Sequence, residues 1–482
     1  MEIHRLSGCE ISEKIKNREL TCEEVISHFI KRMKDVDKKI NAVLQLDEMG
    51  AMERAKQIDK KILNGERLGV LCGIPIGLKD NINYKGLRTT CASKILENFI
   101  SPYNATVVDK ILKEDGIIMG KLNMDEFAMG SCNKTSFFGP VRNPWNLNKV
   151  SGGSSGGPAA AVAALELPMT LGTDTGGSIR EPASYCGVIG TKPTYGAVSR
   201  YGVATLCTSL DQVGVFGRTY GDVALLSSVI YGFDEKDSTS KNCSVLFELK
   251  DDDGFIKGKR IAYLESLSGE KENSLVKGIL DKAVHELIEK GAIIDKIQLN
   301  GEIFDLFMST YIIMMSTDCM SNLARFDGIR YGYRDKDAKT PDELYYNSRT
   351  NGFGKEVKRR IVMGSLFTLE ENMDKYYNNA LRIRYKVIEN LKEIFKKYDY
   401  ILSPSTVDVA DDIDKEYFEA EGYFANPQLV LANLTGLPAI SIPFDFLNDM
   451  PIGIQFIGNY FSDSNLLKLS KLFPKMEIEK EI

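Results

Sequence analysis

Residues 151–182 read SGGSSGGPAAAVAALELPMTLGTDTGGSIREP, and this stretch is the strongest indication of the fold. Two clusters of glycine and serine, at 152–157 and 175–178, flank an alanine-rich helical run and a short apolar strand, Met169 to Gly172. Glycine lets backbone N–H groups approach a ligand closely, so each loop can direct several donors to one point. Such a point suits an anion, which is either a phosphate or the oxyanion of an acyl transfer.

The residues around these loops disfavour a phosphate site. A phosphate loop of the NTPase type ends in Gly-Lys-Ser/Thr, whereas Gly156 and Gly157 are followed here by Pro158. The Gly-x-Gly-x-x-Gly fingerprint of dinucleotide-binding proteins, with an acid about 20 residues further on, is also absent from the sequence. Flexible linkers are disfavoured because the clusters lie inside one apolar segment. Acyl transfer by a serine nucleophile is the remaining interpretation.

A nucleophilic serine needs a base, and the histidines are poorly placed to supply it. His4 lies in the N-terminal arm, and His28 and His285 lie in amphipathic helical runs. A Ser-Lys arrangement is the known variant, because desolvation can remove the proton of a buried lysine. Lys79 follows the apolar run Ile74 to Leu78 and is the best candidate, although a lysine taken alone could equally lie on the surface.

The motifs GGSSGG and DTGGSIREP, preceded by GIPIGLKDNI, resemble the amidase signature family. The resemblance implies a Ser-cis-Ser-Lys triad in which Ser178 is the nucleophile, Ser154 is the bridge and Lys79 is the base. It also implies an α/β fold with α/β/α layers around a large mixed, twisted β-sheet. Ser155 is interpreted as a structural hydroxyl. The oxyanion would be held by the backbone N–H groups of Thr175, Gly176, Gly177 and Ser178.

Further blocks resemble one branch of this family, the glutaminase subunits of tRNA-dependent amidotransferases. The clearest are GKLNMDEFAMGS at 120–131, GTKPTYGAVSRYGV at 190–203 and ANLTGLPAISIP at 432–443. The resemblance implies hydrolysis of glutamine, with ammonia used for the ATP-dependent conversion of Glu-tRNA(Gln) to Gln-tRNA(Gln). It implies a heterotrimer with subunits B and C, in which the partner holds the tRNA, ATP and Mg²⁺, and no cofactor in this chain.

Two other functions stay open at this stage. A free-standing hydrolase of another small amide would use the same triad. A noncatalytic scaffold with the same fold is argued against by the intact Lys79, Ser154 and Ser178.

The resemblance also implies residues that bind the amino acid. Tyr311 and Arg360 match positions that contact the substrate, and Arg359 is the alternative to Arg360. An acid that receives the substrate ammonium is expected where this chain has Asn426. An amide supplies no countercharge, so glutamine binds more weakly, a nearby acid such as Glu421 substitutes, or another amide is preferred. The remaining alternative is a shift of the matched position by a residue or two, because residues 405–425 match the family poorly.

Composition is that of a soluble globular protein. The chain has 482 residues, 43% hydrophobic and 27% charged, with a net charge of −6. An acidic chain is a poor binder of nucleic acid by itself, so a partner should hold most of a tRNA. We expect one amidase domain over 1–482, with a helical arm at 1–65 packed on the core and a surface linker at 233–257.

Nine scattered cysteines form no Cys-x-x-Cys pair, so neither a zinc site nor a disulfide framework is indicated. No signal peptide and no membrane span are recognisable, which predicts a cytoplasmic protein with reduced thiols.

Periodicity predicts the other elements. Thr21 to Glu24 forms a capping box before a helix, and all of 8–65 is predicted as helical. Strand and helix then alternate. The later predictions are strands at 260–264, 292–297, 400–404 and 439–442, and helices at 275–289, 303–325 and 370–397.

Overall fold

A mixed β-sheet of eleven strands runs through the part of the chain that the computed structural model describes. That part comprises residues 2–242, 247, 254–264, 274–299, 306–416, 426–473 and 476. A separate pair of short strands, β4 and β5, lies beside it. The strands are β1 Val43–Leu46, β2 Pro75–Lys79, β3 Ile117–Leu122, β4 Arg142–Asn143, β5 Asn146–Val150, β6 Met169–Asp174, β7 Ile189–Lys192, β8 Gln212–Gly217, β9 Arg260–Leu264, β10 Ile293–Ile297, β11 Tyr400–Pro404, β12 Ala439–Leu447 and β13 Met450–Gly458.

The large sheet has the order β1-β3-β2-β6-β8-β7-β12-β13-β11-β9-β10. β3, β2 and β6 are parallel neighbours, as are β11, β9 and β10. The strands between these two groups, from β8 to β13, pair antiparallel. The predicted mixed sheet is therefore confirmed.

Helices connect the strands and cover the sheet. They are Gly8–Lys16, Cys22–Ile40, Glu48–Leu63, Thr106–Lys113, Gly156–Ala163, Arg180–Cys186, Tyr220–Ile230, Ser274–Glu289, Phe307–Leu323, Pro341–Gly352, Lys355–Phe367, Glu370–Met373, Asn379–Phe395, Pro427–Thr435 and Asp463–Lys468.

Both faces of the sheet are buried. Successive side chains of a strand point to opposite faces, and Ile118 packs into a different apolar cluster from its neighbours Ile117 and Met119. Ile401 and Leu402 of β11 likewise pack into two different apolar clusters. The sheet therefore lies between two apolar layers, which is the expected α/β/α arrangement.

The N-terminal arm packs on the core but is not wholly helical. The predicted capping box is present, since Glu24 N–H donates to Thr21 Oγ1 at 3.1 Å and Thr21 N–H donates to Glu24 at 2.8 Å. The prediction of helix throughout 8–65 is wrong at Val43–Leu46, which forms edge strand β1 antiparallel to β3. The preceding helix ends at Asn41 in the left-handed region (φ +61°), which turns the chain toward the sheet edge.

The predicted surface linker at 233–257 begins as a packed segment. Asp234 and Asp237 are each 9% exposed. Asp234 accepts hydrogen bonds from Thr106 at 2.6 Å and Ser199 at 2.5 Å, and Asp237 accepts from the Arg200 N–H at 2.8 Å. These contacts hold the beginning of the segment against the fold, although Phe233, Glu235 and Lys236 are exposed. The surface linker over 233–257 stays a prediction. Residues 243–246 and 248–253 lie outside the described part.

Most predicted elements agree with the structure at their centres. The predicted strands 260–264 and 400–404 are confirmed with the same bounds. The predicted helix 303–325 is described as Phe307–Leu323, and the long helix 370–397 is interrupted by a π-helical turn at Asp374–Asn378. No helix in the described ranges combines the length and apolar character needed to cross a membrane.

Candidate active site

Two parallel strands end at the same edge of the sheet and carry the predicted catalytic groups. β2 and β6 pair with Leu78 opposite Leu171. Lys79 is the last residue of β2, and β6 ends at Asp174, just before the second glycine cluster. Ligand sites in open α/β sheets commonly lie at the carboxyl ends of the strands. The sheet thus brings Lys79 beside the loop that contains Ser178.

Lys79 is completely buried, at 0% exposure. Its Nζ lies 2.8 Å from Ser154 Oγ, 2.8 Å from Ser155 Oγ and 3.3 Å from the carbonyl oxygen of Thr173. The peptide bond between Gly153 and Ser154 is cis. Lys79 and Ser154 are therefore in direct hydrogen-bond contact.

The two serine hydroxyls beside Lys79 have different surroundings. The Ser155 hydroxyl donates to the carbonyl oxygen of Thr173 at 3.0 Å. Since a hydroxyl has only one proton to donate, Ser155 Oγ must accept from Lys79 Nζ. Ser155 therefore orients the amine, and Ser154 is the hydroxyl that can exchange a proton with it.

Burial lowers the pKa of Lys79 to about 7, although the nearby acids Asp125, Asp174 and Asp211 favour the charged form. Desolvation disfavours an ammonium ion, which is the physical cause of the shift. Near neutral pH a large fraction of Lys79 is then the free amine. A free amine can take a proton from Ser154 and act as a base.

Ser178 opens onto a cavity beside this buried pair. It is 8% exposed, and its carbonyl oxygen accepts a hydrogen bond from the Ser155 N–H at 3.1 Å. The cavity combines apolar side chains with polar groups along its wall. It is lined by Ala128, Met129, Gly130, Ser131, Gly176, Ser178, Glu181, Leu206, Tyr311, Met315, Asn426, Leu429 and Val430.

A buried ion pair holds the loop that carries Ser178. The Asp174 carboxylate accepts from the N–H groups of Gly177 at 2.8 Å and Ile179 at 3.1 Å, and from Arg180 Nε at 3.0 Å. Burial by itself would raise the pKa of Asp174, but the charge and hydrogen bonds of Arg180 hold it well below its usual range. Arg180 also donates to the carbonyl oxygen of Leu429 at 2.7 Å, so the loop is tied to a facing helix.

One of these contacts removes a hydrogen-bond donor from the predicted oxyanion hole. The N–H of Gly177 is directed at Asp174, so it does not point at a substrate carbonyl in this structure. Gly177 has φ +113°, a conformation that favours glycine, and Leu429 packs where a side chain would stand. The N–H groups of Thr175, Gly176 and Ser178 stay as the predicted donors.

Tyr311, on the helix Phe307–Leu323, lines the same cavity as Ser178. A side chain at Gly176 would overlap the Tyr311 hydroxyl, so this hydroxyl sits directly over the glycine loop. Its role in binding substrate stays a prediction.

Arg360 is not among the described residues that line the cavity. It is 1% exposed on the helix Lys355–Phe367, and its Nε donates to Glu356 at 2.6 Å. The alternative, Arg359, forms two hydrogen bonds of 2.8 Å to the same Glu356. Both arginines are thus engaged by one carboxylate, and a role in binding the α-carboxylate stays a prediction for either.

Asn426 lines the cavity, and both ends of its amide are engaged. Its Oδ1 accepts from the Val407 N–H at 2.9 Å, and its Nδ2 donates to Glu181 Oε1 at 3.0 Å. The acid named from the sequence as a substitute, Glu421, lies outside the described residues.

The histidines lie away from this cavity, as the sequence predicts. His4 and His28 contact each other at 2.9 Å in the N-terminal arm, and His285 lies on the helix Ser274–Glu289. Within the described ranges, no group of three or more His, Cys, Asp and Glu residues is arranged to hold a metal ion.

Sequence reasoning missed the buried charges that shape the site. Asp174, Arg180 and Glu181 stand inside the quoted motif but were assigned no role. Asp211, which immediately precedes β8, accepts a hydrogen bond from the Thr175 hydroxyl at 2.6 Å. The sequence contains a signal that could have identified them, namely charged residues inside an apolar, glycine-rich run. Charged residues in such a run are buried only when they are paired or functional.

The sequence of this chain is similar to those of one known protein family. The model of the Amidase family matches residues 24–467. The A subunit of the glutamyl-tRNA(Gln) amidotransferase of Clostridium botulinum is 44% identical over 471 residues, which cover 98% of this chain and 97% of that protein.

Solved structures agree with this result. The crystal structure of the A subunit of the glutamyl-tRNA(Gln) amidotransferase from Thermotoga maritima matches with a TM-score of 0.80 and 35% identity, covering 100% of this chain and 99% of that chain. A bacterial aryl acylamidase of the amidase signature family matches with a TM-score of 0.83 over 97% of this chain and 95% of that chain. At 24% identity, the acylamidase is evidence for the fold alone.

Proposed function

Because this chain belongs to the amidase family, we propose that it is the glutamine-hydrolysing subunit of a glutamyl-tRNA(Gln) amidotransferase. The likeness to proteins of that name over nearly the whole chain carries the proposal. The local geometry supports it, since a buried lysine contacts a serine beside a cavity that contains a second serine.

In the first chemical step, Ser178 Oγ attacks the carbonyl carbon of the glutamine side-chain amide. The Ser178 proton passes to Ser154, and the Ser154 proton passes to the neutral amine of Lys79. The negative charge on the carbonyl oxygen is stabilised by backbone N–H groups of the loop 175–178. Lys79 therefore becomes an ammonium while the tetrahedral intermediate forms.

In the second step, the C–N bond breaks and the proton returns from Lys79 through Ser154 to the leaving nitrogen, which departs as ammonia. The product is a glutamyl ester on Ser178. Water then attacks this ester with the same proton route, which releases glutamate and restores the Ser178 hydroxyl.

The ammonia is used by partner subunits B and C in a cytoplasmic heterotrimer. The partner binds Glu-tRNA(Gln), ATP and Mg²⁺, activates the glutamyl carboxylate and transfers ammonia to it. The net charge of −6 supports this division, since a chain with more acidic than basic residues does not favour binding of the tRNA backbone.

The test is ammonia release from glutamine by the purified chain, first alone and then with the partner subunits, Glu-tRNA(Gln) and ATP. Stimulation by the complete set supports the proposal, and Ser178→Ala in the same complex is the matched control for contaminating glutaminase. Indifference to the partners, combined with faster hydrolysis of another amide, would instead assign the chain to the free-standing amidases.

A further inference from the structure

Among the described residues that line the cavity, Glu181 is the one with a carboxyl group. It is 7% exposed and lies in the first turn of the helix Arg180–Cys186. Its backbone N–H donates to the carbonyl oxygen of Gly177 at 2.9 Å, which ties it to the catalytic loop. The acid is therefore part of the wall that also presents Ser178.

We propose that Glu181 binds the α-ammonium group of the substrate glutamine and that Asn426 is a positioning residue for Glu181. This inference rests on the proposed function, because it names a group that recognises glutamine within that same site.

The hydrogen bonds of Asn426 define which way its amide faces. The Val407 N–H can only donate, so the Asn426 atom 2.9 Å away must be the oxygen Oδ1. The Nδ2 group consequently faces Glu181 Oε1 at 3.0 Å. A carboxylate has about four acceptor positions, so one bond from Asn426 orients Glu181 and leaves it able to accept from an ammonium.

The charges around Glu181 suit a cation. Burial raises the pKa of Glu181 well above its usual range, and repulsion from Asp125, Asp174 and Asp411 adds to this shift, whereas Asn426 opposes it. An opposite charge favours the ionised form of a carboxyl group. A substrate ammonium would supply that charge as it enters, and an uncharged end of another amide would not.

The short separation of Ser178 and Glu181 along the chain also supports a contact between Glu181 and the substrate ammonium. Ser178 and Glu181 are three positions apart and line one cavity. Glutamine is short, so a group that contacts its ammonium must lie close to the serine that attacks its side chain. One hydrogen bond connects Glu181 to Asn426, and both residues line the cavity. A carboxylate at either position would therefore face the same space.

The experiment uses the complete enzyme with its partner subunits and compares two substrates. Glutaramate is the analogue of glutamine that has hydrogen in place of the α-ammonium. In Glu181→Gln we expect the KM for glutamine to rise about 10- to 100-fold, because a hydrogen bond to a charged group is lost. The kcat for glutamine should change much less, so the ratio of kcat/KM for glutamine to that for glutaramate should fall by about the same factor.

A double variant, Glu181→Gln with Asn426→Asp, places the carboxylate on the other side of the hydrogen bond. We expect it to restore most of the preference for glutamine, which a merely structural role of Glu181 would not produce. Asp222→Asn is the matched control. It removes another buried acid whose pKa burial raises, to about 6, at a residue outside the cavity lining, and it should leave the substrate ratio unchanged.

Each outcome decides between the two proposals. A wild-type complex that hydrolyses glutamine, with an unchanged substrate ratio in folded Glu181→Gln, overturns this inference and leaves the proposed function standing. A wild-type complex without glutaminase activity overturns the proposed function, and this inference with it. If Glu181→Gln does not fold, Asn426→Ala decides instead, since it keeps the acid but removes its orienting bond. A fall in the ratio supports the inference, and an unchanged ratio overturns it.

Discussion

Lys79 differs in its contacts from the other two fully buried lysines of the described chain. Lys121 lies 3.4 Å from the carboxylate of Asp80 as well as 3.1 Å from the Thr89 hydroxyl, and Lys192 donates to the carbonyl oxygen of Pro193 at 2.8 Å. Lys79 contacts the hydroxyls of Ser154 and Ser155, and Ser178 beside this pair lines the cavity. A base needs a partner that can give up a proton, so the hydroxyl contact together with the adjoining cavity suits Lys79 for catalysis.

We expect kcat, measured at saturating glutamine, to rise as the pH increases through about 7 and then to level off. The reason is that burial lowers the pKa of Lys79 to about 7, and only the neutral amine above that pH can accept a proton. Lys79→Arg should be almost inactive at every pH, because a guanidinium does not lose its proton. A flat profile, or an active arginine variant, would exclude Lys79 as the base.

We expect Ser178→Ala to lower glutamine hydrolysis by several orders of magnitude, since the variant has no nucleophile. Binding of the partner subunits should be unchanged, because Ser178 is only 8% exposed within a cavity. Ammonia release and co-purification of the partners measure the two properties separately. Retained hydrolysis would disprove the assignment of the nucleophile.

At the scale of elements, the site depends on the pairing of β2 with β6 and on the ion pair that follows β6. Both members of this ion pair, Asp174 and Arg180, are 0% exposed. Arg180 links the catalytic loop to the helix Pro427–Thr435 through a 2.7 Å hydrogen bond to Asn433. This helix also supplies Leu429 and Val430 to the cavity wall. One buried pair therefore holds two walls of the cavity together.

Removal of the negative charge of Asp174 should destabilise the fold. We expect Asp174→Asn to lower the free energy of unfolding by about 3–5 kcal/mol, because it leaves the Arg180 charge buried and uncompensated. The pKa of Asp174 is held below its usual range, so this stabilisation is present above the ordinary aspartate pKa and is lost as the pH falls. Denaturant unfolding measures the change.

The matched control for this prediction is Asp445→Asn, which removes one member of a solvent-exposed pair. Lys282 and Asp445 are 58% and 29% exposed in their side chains, at 2.8 Å separation. Such a pair contributes at most about 1 kcal/mol. Equal effects of the two substitutions would contradict the special role of the buried pair.

At the scale of the whole molecule, the N-terminal arm is joined to the sheet rather than appended to it. The arm supplies edge strand β1 to the sheet. Phe29 of the helix Cys22–Ile40 is 0% exposed and shares one apolar cluster with Ile179, which follows the catalytic loop. Shared burial of this kind favours cooperative unfolding of arm and core.

We therefore expect Phe29→Ala to destabilise the whole chain by about 3–5 kcal/mol. Unfolding should stay a single transition, and glutaminase activity should be lost at the same denaturant concentration as the structure. Met49→Ala, at a side chain that is 87% exposed, is the control and should change stability by less than about 0.5 kcal/mol. Two separate transitions would show that the arm is an independent unit.

Much of the molecule was predictable because its signals are local. Apolar runs and glycines mark β2, β6 and the two loops, and capping residues mark the helix that begins at Cys22. The motif spacing, together with the family resemblance, named Lys79, Ser154 and Ser178, and the structure brings Lys79 and Ser154 into contact and places Ser178 at the adjoining cavity. The segment Val43–Leu46 was missed, because a four-residue strand takes its identity from its neighbour β3 rather than from its own pattern.

The α/β class follows from local patterns in the sequence, and the candidate catalytic residues follow from the family resemblance, because each motif is a run of neighbouring residues. The strand order, the contact of Arg180 with Asn433 and the contact of Glu181 with Asn426 are known only from the folded chain. The last two join residues 253 and 245 positions apart. Contacts at such separations are set by how the helices pack on the sheet, and no local spacing in the chain records them.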